Sequence, residues 1–239
     1  FNLVHVHNTG AAFSLFADRQ PDYAIFEVGL GGRLDATNLS DPVVSVITRI
    51  GYDHLKVLGN TLTRIAGEKA GIMRKGRPVI ISEQEPEALA ALRRKAGETG
   101  AGLKLAPSVV SVQSVLSTAA GTSFRARSRF GSGAVRLPLL GQHQVENCQT
   151  VTAVLDELAR GDGHIKFNRV ARGLSRVSVP ARCQVVRCSS FITHRSSLVL
   201  LVDSCHNPEY GHALANVLRD HLPFRRLQTA NCKLQTPRV

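Results

Sequence analysis

Short apolar runs alternate with amphipathic stretches along the first hundred residues of the chain. The runs at residues 23–28, 43–48 and 78–82 are bounded by glycine, proline and polar residues, which is typical of buried strands. Residues 61–73 and 86–98 instead repeat apolar side chains at the three- and four-residue spacing of a helix. This alternation predicts an α/β fold that is built on a parallel sheet.

Residues 103–140 follow another pattern, in which short apolar stretches are separated by glycine and serine. This pattern predicts a small antiparallel sheet inserted into the α/β domain. The apolar stretches cover residues 109–115, 122–127 and 135–139.

Helical spacing returns within residues 137–158 and again at residues 167–174. A further strand at residues 197–202 and a helix at 209–222 then predict the start of a second α/β unit.

Acidic and imidazole side chains follow two of the predicted strands. Glu27 ends the first apolar run just before a glycine-rich turn, and Asp53-His54 follows the second run. Ligands of open α/β sheets bind at the carboxyl ends of the strands, so these side chains are candidates for holding a metal or phosphate. The glycines do not spell a dinucleotide-binding pattern, and a plain strand, turn and edge carboxylate is the alternative interpretation.

Lys69 lies on the apolar stripe of the helix predicted over residues 61–73. A charged amine in that place is costly unless it reaches solvent, pairs with an acid or loses its proton. A neutral amine reacts with carbon dioxide to form a carbamate, whose oxygens suit Mg²⁺. Both interpretations, the solvent-reaching ammonium and the carbamate, remain open from the sequence.

The ordered motifs of the chain resemble the Mur ligase family, in its dihydrofolate synthase/folylpolyglutamate synthase branch. The resemblance is carried by EVGLGGRLDATN (27–38), IGYDH (50–54) and EKAGIMRKGRPVI (68–80). It continues through GQHQVENC (141–148), VPARCQ (179–184) and DSCHNP (203–208). Cys148, Ala181, Cys183 and Cys205 depart from the residues usual in the family.

The resemblance assigns roles to individual residues of this chain. It implies that Glu27 and His54 hold Mg²⁺, and that Lys69 is carbamylated and catalytic. It also implies that three consecutive residues contact the pterin-bearing substrate, and that the later motifs serve ATP. The substrate-contacting residues are Leu34, Asp35 and Ala36; those that bind ATP are Asn147, Arg182 and Asp203; and His206 is catalytic at the phosphates. For Asn147, satisfaction of local backbone groups is the alternative.

The same resemblance implies an ATP- and Mg²⁺-dependent ligase. Such an enzyme phosphorylates a carboxylate of dihydropteroate or a folate, and the amine of L-glutamate then attacks the acyl phosphate. The implied organisation is a parallel-sheet ATPase-type domain over residues 21–178, lacking its N-terminal part, and a truncated C-terminal domain over 179–239. No Gly-Lys-Ser or Gly-Lys-Thr occurs in the sequence, so we expect this chain alone to be inactive.

Residues 1–20 fit this organisation poorly. The segment NTGAAFS (8–14) resembles the lipoprotein signal peptidases, although no later segment supplies their membrane helices or catalytic aspartates. We therefore expect an unrelated N-terminal segment, with a chance apolar strand as the alternative.

Composition narrows the choice of partners. The net charge is +12, and most of the excess lies after residue 159. A basic surface suits ATP, polyglutamate and nucleic acid alike, but the arginines are scattered and no nucleic-acid motif is present, so we expect no nucleic-acid partner.

No apolar run is long enough to cross a membrane, and the five cysteines lack C-x-x-C spacing. We expect a cytoplasmic monomer; a non-catalytic anion-binding remnant is the second functional hypothesis.

Overall fold

A three-stranded parallel sheet forms the centre of the chain. The computed structural model describes residues 3–6, 21–118, 120–188, 198–205 and 208–221. After β1 (Leu3–Val6) and β2 (Tyr23–Phe26), the central sheet has the order β3 (Ser45–Ile47), β4 (Pro78–Ile81) and β5 (Gly102–Leu105). Ser45 pairs with Val79 and Val79 pairs with Leu103, so all three strands run in the same direction.

The connections between these strands are helical. Thr61 caps the helix that carries Lys69 by accepting the backbone N–H of Arg64 at 3.2 Å, and Gly100 ends the next helix in a left-handed conformation (φ 70°). The helices of this part are α1 (Leu55–Leu58), α2 (Leu62–Lys69) with a 3₁₀ turn at Ala70–Ile72, α3 (Pro86–Thr99) and α4 (Ala106–Val109).

Strand β4 separates two hydrophobic cores. Val79 and Ile81 point into the core formed with α2 and α3, whereas Ile80 points into the other core, as the two-residue alternation of a strand requires. All three side chains are fully buried. Truncating Ile80 or Ile81 to alanine should therefore cost about 2–5 kcal/mol of unfolding free energy.

The second core is shared with the antiparallel insert. This sheet contains β6 (Ser111–Thr118), β7 (Gly121–Ser128) and β8 (Gly131–Leu137), and it is followed by α5 (Gln142–Leu158) and α6 (Phe167–Leu174). Phe124 and Val135 on its buried face join Val145 of α5 in one cluster. The cluster holds the N-terminal half of α5 at the side of the central sheet.

Strand β2 is shorter and more exposed than the sequence predicts. It ends at Phe26, and Ala24 and Ile25 are exposed, so the prediction of a buried strand over residues 23–28 is wrong. Strand β2 pairs in parallel with β1 in a separate two-stranded sheet and is not an inner strand of the central sheet, which explains its exposure. The segment at 8–14 lies outside the described residues, and the separate origin of residues 1–20 stays a prediction.

The C-terminal part packs on the start of α5. The antiparallel strands β9 (Gln184–Cys188) and β10 (Leu198–Val202) precede α7 (Pro208–His221). Val217 of α7 is buried in a small cluster with Leu140 and Cys183. This contact brings α7, the segment before β9 and the start of α5 to one place.

The α/β class, the parallel sheet and the antiparallel insert are confirmed. Most predicted elements occur with ends shifted by a few residues, and the helix at residues 167–174 has the predicted bounds. The sequence interpretation missed the short elements α1, α4, β5 and β9. Within the described ranges, no helix combines the length and the apolar character needed to span a membrane.

Candidate functional site

Asp35 organises the glycine-rich loop after β2. Its carboxylate accepts the backbone N–H groups of Gly29 (3.0 Å), Leu30 (3.2 Å) and Thr37 (3.0 Å), and also the Thr37 hydroxyl (2.7 Å). Burial alone would raise the pKa of Asp35, but these hydrogen bonds outweigh burial and the pKa is lowered. Asp35 is one of the three predicted substrate contacts, and its carboxylate is hydrogen-bonded within its own loop.

The loop lies directly against α2. A Cβ atom on Gly32 would be 2.9 Å from Ile72 Cγ2, and one on Gly71 would be 2.4 Å from Arg33 Cα, so both positions require glycine. Arg33 also donates its backbone N–H to the carbonyl of Glu68 at 3.0 Å. Although the loop is held closely, Leu34 is 81% exposed, and Ala36 is exposed too.

The loop after β3 carries the predicted imidazole ligand. Gln84 fixes this loop, because its Oε1 accepts the backbone N–H of Ile50 at 2.9 Å and its Nε2 donates to the carbonyl of Thr48 at 3.0 Å. His54 follows in a left-handed conformation (φ 49°), which is uncommon for a residue other than glycine. Its Nε2 lies 3.8 Å from Asp53 Oδ1, and its side chain is 58% exposed.

Lys69 is more than half buried at the end of α2. Burial lowers its pKa, and the negative charge of Asp53 opposes that shift. Asp53 therefore interacts electrostatically with both Lys69 and His54. Glu27 is exposed just beyond the end of β2. The described part of the chain contains no group of three or more His, Cys, Asp or Glu side chains placed to hold a metal ion.

The three predicted ATP-binding residues line a single cleft of about 240 Å³. The cleft lies where the start of α5, the segment before β9, the end of β10 and α7 meet. Its lining comprises His143, Gln144, Asn147, Val179, Arg182, Cys183, Asp203, Tyr210, Ala213 and Leu214. The structure thus joins Asn147, Arg182 and Asp203, which are far apart in the sequence.

Asp203 forms one wall of this cleft through a hydrogen-bond network. Its Oδ2 accepts the backbone N–H of Cys183 at 2.8 Å and its Oδ1 accepts that of Cys205 at 2.8 Å. Burial and the Asp203 carboxylate together raise the pKa of Cys183 to about 12, so this thiol stays protonated. Ala181 and Cys183 are both in left-handed conformations, with φ values of 55° and 49°.

Arg182 and His143 complete the polar lining. The Arg182 guanidinium lies over the Tyr210 ring, 5.5 Å from its centroid, which is a cation–π distance. Burial lowers the pKa of His143, and of its two charged neighbours Asp203 opposes this shift while Arg182 adds to it. The cleft thus combines a cation, an aromatic ring and a neutral imidazole, which are groups that contact phosphates and bases.

A larger and more open hollow of about 490 Å³ lies beside α1 and α2. It is lined by residues 55–60 together with Arg64, Gly67 and Glu68. None of the residues predicted to bind ATP borders it. The smaller cleft therefore remains the candidate nucleotide site, although the hollow is larger.

Among the polar and aromatic residues of the cleft, Tyr210 and His143 were not singled out by sequence reasoning. His143 lies inside the GQHQVENC motif, so the motif itself was a usable signal. Tyr210 had no sequence signal beyond its being an aromatic residue near DSCHNP. His206, the predicted catalytic histidine, lies outside the described residues.

Comparisons with known proteins agree with this arrangement. Residues 5–155 match the Mur ligase middle domain family. Dihydrofolate synthase/folylpolyglutamate synthase of Bacillus subtilis is 32% identical over 223 residues, which cover 92% of this chain and 50% of the relative.

Two solved structures give the same result. A Mycobacterium tuberculosis folylpolyglutamate synthase complexed with ADP and AMPPCP has a TM-score of 0.72 and 32% identity, covering 87% of this chain and 46% of the other. An FPGS-AMPPCP-folate complex has a TM-score of 0.76 and 30% identity, covering 87% and 49%. The chain spans about half the length of these relatives, and the family match begins within residues 1–20. The chain therefore belongs to the Mur ligase family, which it matches through the middle domain.

Proposed function

We propose that the chain is part of an ATP-dependent ligase that adds L-glutamate to dihydropteroate or a folate through an acyl phosphate. The observation that carries the proposal is the meeting of Asn147, Arg182 and Asp203 in one cleft. The similarity to folylpolyglutamate and dihydrofolate synthases, one of them in a complex named for AMPPCP and folate, supports the same choice.

Nucleotide binding is assigned to the cleft. The planar guanidinium of Arg182 suits a phosphate, and the Tyr210 ring beside it offers a surface for a base or ribose. Asn147 lies in the second turn of α5, and its side-chain amide borders the cleft. Asp203 contributes a carboxylate for a ribose hydroxyl, and His206 is assigned to the phosphate end.

Magnesium is proposed to bind at the other site, beyond the ends of β2 and β3. Mg²⁺ is usually held by one or two carboxylates together with substrate phosphates, so a complete protein cage is not required. Glu27 and His54 are proposed to hold it, and the amine of Lys69, whose pKa is lowered by burial, is suited to carbamylation. The ion would neutralise charge on the transferred phosphoryl group.

The loop after β2 is proposed to contact the pterin-bearing substrate. Leu34 and Ala36 are both exposed, and Leu34 offers an apolar side chain. Asp35 keeps both in place through its hydrogen bonds to Gly29, Leu30 and Thr37. Because the loop is already ordered, it can orient a substrate without a further loss of conformational entropy on binding.

The remaining proposals concern the setting of the enzyme. We also propose that the protein is a cytoplasmic monomer. Nucleic acid is not proposed as a partner. The second candidate is a non-catalytic protein that binds anions through its basic face, and the net charge of +12 favours it.

One pair of assays tests the proposal. The 239-residue chain, and a chimera that adds the parts of the B. subtilis relative outside the matched region, are each incubated with ATP, Mg²⁺, glutamate and dihydropteroate. We expect coupled ADP and product from the chimera and none from the chain alone. Arg182→Ala in the chimera should abolish turnover, and Arg176→Ala, an exposed arginine outside the cleft, should not.

One result would contradict the proposal, and another would contradict only the expectation that the chain alone is inactive. A folded chimera that binds ATP but makes no product favours the anion-binding protein. Coupled turnover by the 239-residue chain alone would mean that another device holds the phosphates.

A further inference from the structure

Gln144 connects two other side chains of the nucleotide cleft. It lies in the first turn of α5 and is only 9% exposed, so both ends of its amide need hydrogen-bond partners. Its Oε1 accepts Asn147 Nδ2 at 3.3 Å, and its Nε2 lies 3.1 Å from His143 Nε2. The three side chains form a continuous chain of hydrogen bonds.

The direction of each hydrogen bond follows from the donors available. With the Gln144 amide oriented so that its oxygen accepts from Asn147, its nitrogen donates to His143 Nε2, which assigns the ring proton to Nδ1. Burial favours this neutral imidazole by lowering the pKa of His143. Asn147 uses one N–H on Gln144, which leaves its Oδ1 and its second N–H for other partners.

The imidazole is fixed in place by the residues around it. A Cβ atom on Gly141 would be 2.6 Å from His143 Cε1 and 2.7 Å from Val217 Cγ2. Gly141 therefore allows the ring to lie between the start of α5 and α7. A ring held there can fix the orientation of Gln144, and through it that of Asn147.

We propose that Gln144 is a positioning residue that orients the Asn147 amide toward an adenine edge and so sets the base selectivity of the cleft. An asparagine amide that presents one acceptor and one donor matches the amino group and neighbouring ring nitrogen of adenine. Guanine presents a carbonyl oxygen in place of that amino group, so the Asn147 Oδ1 would face another acceptor. The inference rests on the proposed nucleotide binding and goes beyond it in naming what selects the base.

The test compares the affinities for ATP and GTP by titration calorimetry on the full chain. Gln144→Leu removes both hydrogen bonds at similar volume, and it should reduce the ratio of ATP to GTP affinity by at least about fivefold. Gln149→Leu is the matched control, because Gln149 is on the same helix but donates to the Val110 carbonyl at 2.6 Å, outside the cleft. The control should leave the ratio unchanged.

A second variant covers the case in which Gln144→Leu does not fold. Gln144→Glu keeps the acceptor for Asn147 but removes the donor to His143, so it should retain the ratio and raise the pKa of His143. Nitrogen NMR of the unsubstituted chain adds a readout that needs no nucleotide, and it should show His143 protonated on Nδ1.

Three outcomes would count against the inference, and the third would also count against nucleotide binding. An equal loss of ATP and GTP affinity in Gln144→Leu, with the ratio unchanged, would reduce Gln144 to a structural residue. Protonation of His143 on Nε2 would reverse the direction of the hydrogen bonds and overturn the inference. If the unsubstituted chain binds neither nucleotide, the nucleotide-binding proposal fails and this inference fails with it.

Discussion

The backbone N–H of Cys183, the residue before β9, donates a 2.8 Å hydrogen bond to the carboxylate of Asp203, the residue after β10. The other carboxylate oxygen accepts the backbone N–H of Cys205. Asp203 is thus a structural residue of the cleft wall as well as a proposed ribose contact. Its substitution would mix these two effects, so Arg182 and Asn147 are the better probes of nucleotide binding.

Ala181 occupies a position that favours glycine. Its φ of 55° costs a non-glycine residue about 1 kcal/mol, so Ala181→Gly should raise the free energy of unfolding by about 0.5–1 kcal/mol. Urea denaturation measures the change. Ala159→Gly is the control, because Ala159 has a right-handed φ of −62°, and there glycine should lower stability. A loss of stability in Ala181→Gly would show that the left-handed conformation is not maintained.

Asp35 should stabilise the fold in a pH-dependent manner. Because its pKa is lowered in the folded state, its contribution is present above the unfolded-state pKa near 3.8 and is lost as the pH falls through the folded-state value. Asp35→Ala should therefore lower the unfolding free energy by about 1 kcal/mol at pH 7, with a smaller difference at acidic pH. The measurement is urea denaturation at both pH values.

The control for this prediction is Asp41→Ala. Asp41 is exposed and forms a surface ion pair with Arg77, which should contribute little to stability. An equal effect of the two substitutions at pH 7 would contradict the structural role of Asp35.

The sequence predicted which elements form more reliably than how they assemble. Helix α6 and the alternation around β4 follow from local periodicity, which is a short-range property. The exposure of Ile25 depends instead on which sheet β2 joins, and periodicity does not carry that information. The short strand β5 was missed because Gly102–Leu105 contains a lysine and is too short to show alternation.

The candidate site shows the same division. Motif order was sufficient to propose Asn147, Arg182 and Asp203, which the fold brings to one cleft. It could not show that the Asp35 carboxylate points into its own loop, since that depends on backbone N–H groups whose direction is set by the turn. Tyr210 joins the cleft only through the packing of α7, which is a long-range contact.

Lys69 should form a carbamate. The reaction needs a neutral amine, and because burial lowers the pKa of Lys69, its neutral fraction at mildly alkaline pH exceeds that of an ordinary lysine. Carbon-13 NMR in labelled bicarbonate should show a carbamate signal that weakens as the pH falls. The signal should be absent in Lys69→Ala and present in Lys104→Ala, since Lys104 is paired with Glu157 at 2.6 Å. A signal that survives Lys69→Ala would contradict the assignment.

Glu27 and His54 should matter for magnesium more than for folding. Glu27→Gln is suitable because it keeps the size of the side chain, and His54→Asn is suitable because asparagine tolerates the left-handed φ of 49° at position 54. Each should weaken Mg²⁺-dependent ATP binding and change the unfolding free energy by less than about 0.5 kcal/mol. The comparison is calorimetric titration of ATP with and without Mg²⁺.

Glu98→Gln is the control for the magnesium prediction. Glu98 is exposed on α3 and pairs with Lys95 on the same helix. If Glu27→Gln and His54→Asn give the same Mg²⁺ dependence as this control, both residues are structural and the proposed metal site is wrong.

The central claim is that the cleft between α5 and α7 binds the nucleotide, and photolabelling with 8-azido-ATP tests it most directly. After irradiation and proteolysis, mass spectrometry should find the label on peptides that contain Asn147 or Tyr210, and excess ATP present during irradiation should prevent the labelling. Label confined to the hollow lined by residues 55–60, or labelling that excess ATP does not prevent, would contradict the account.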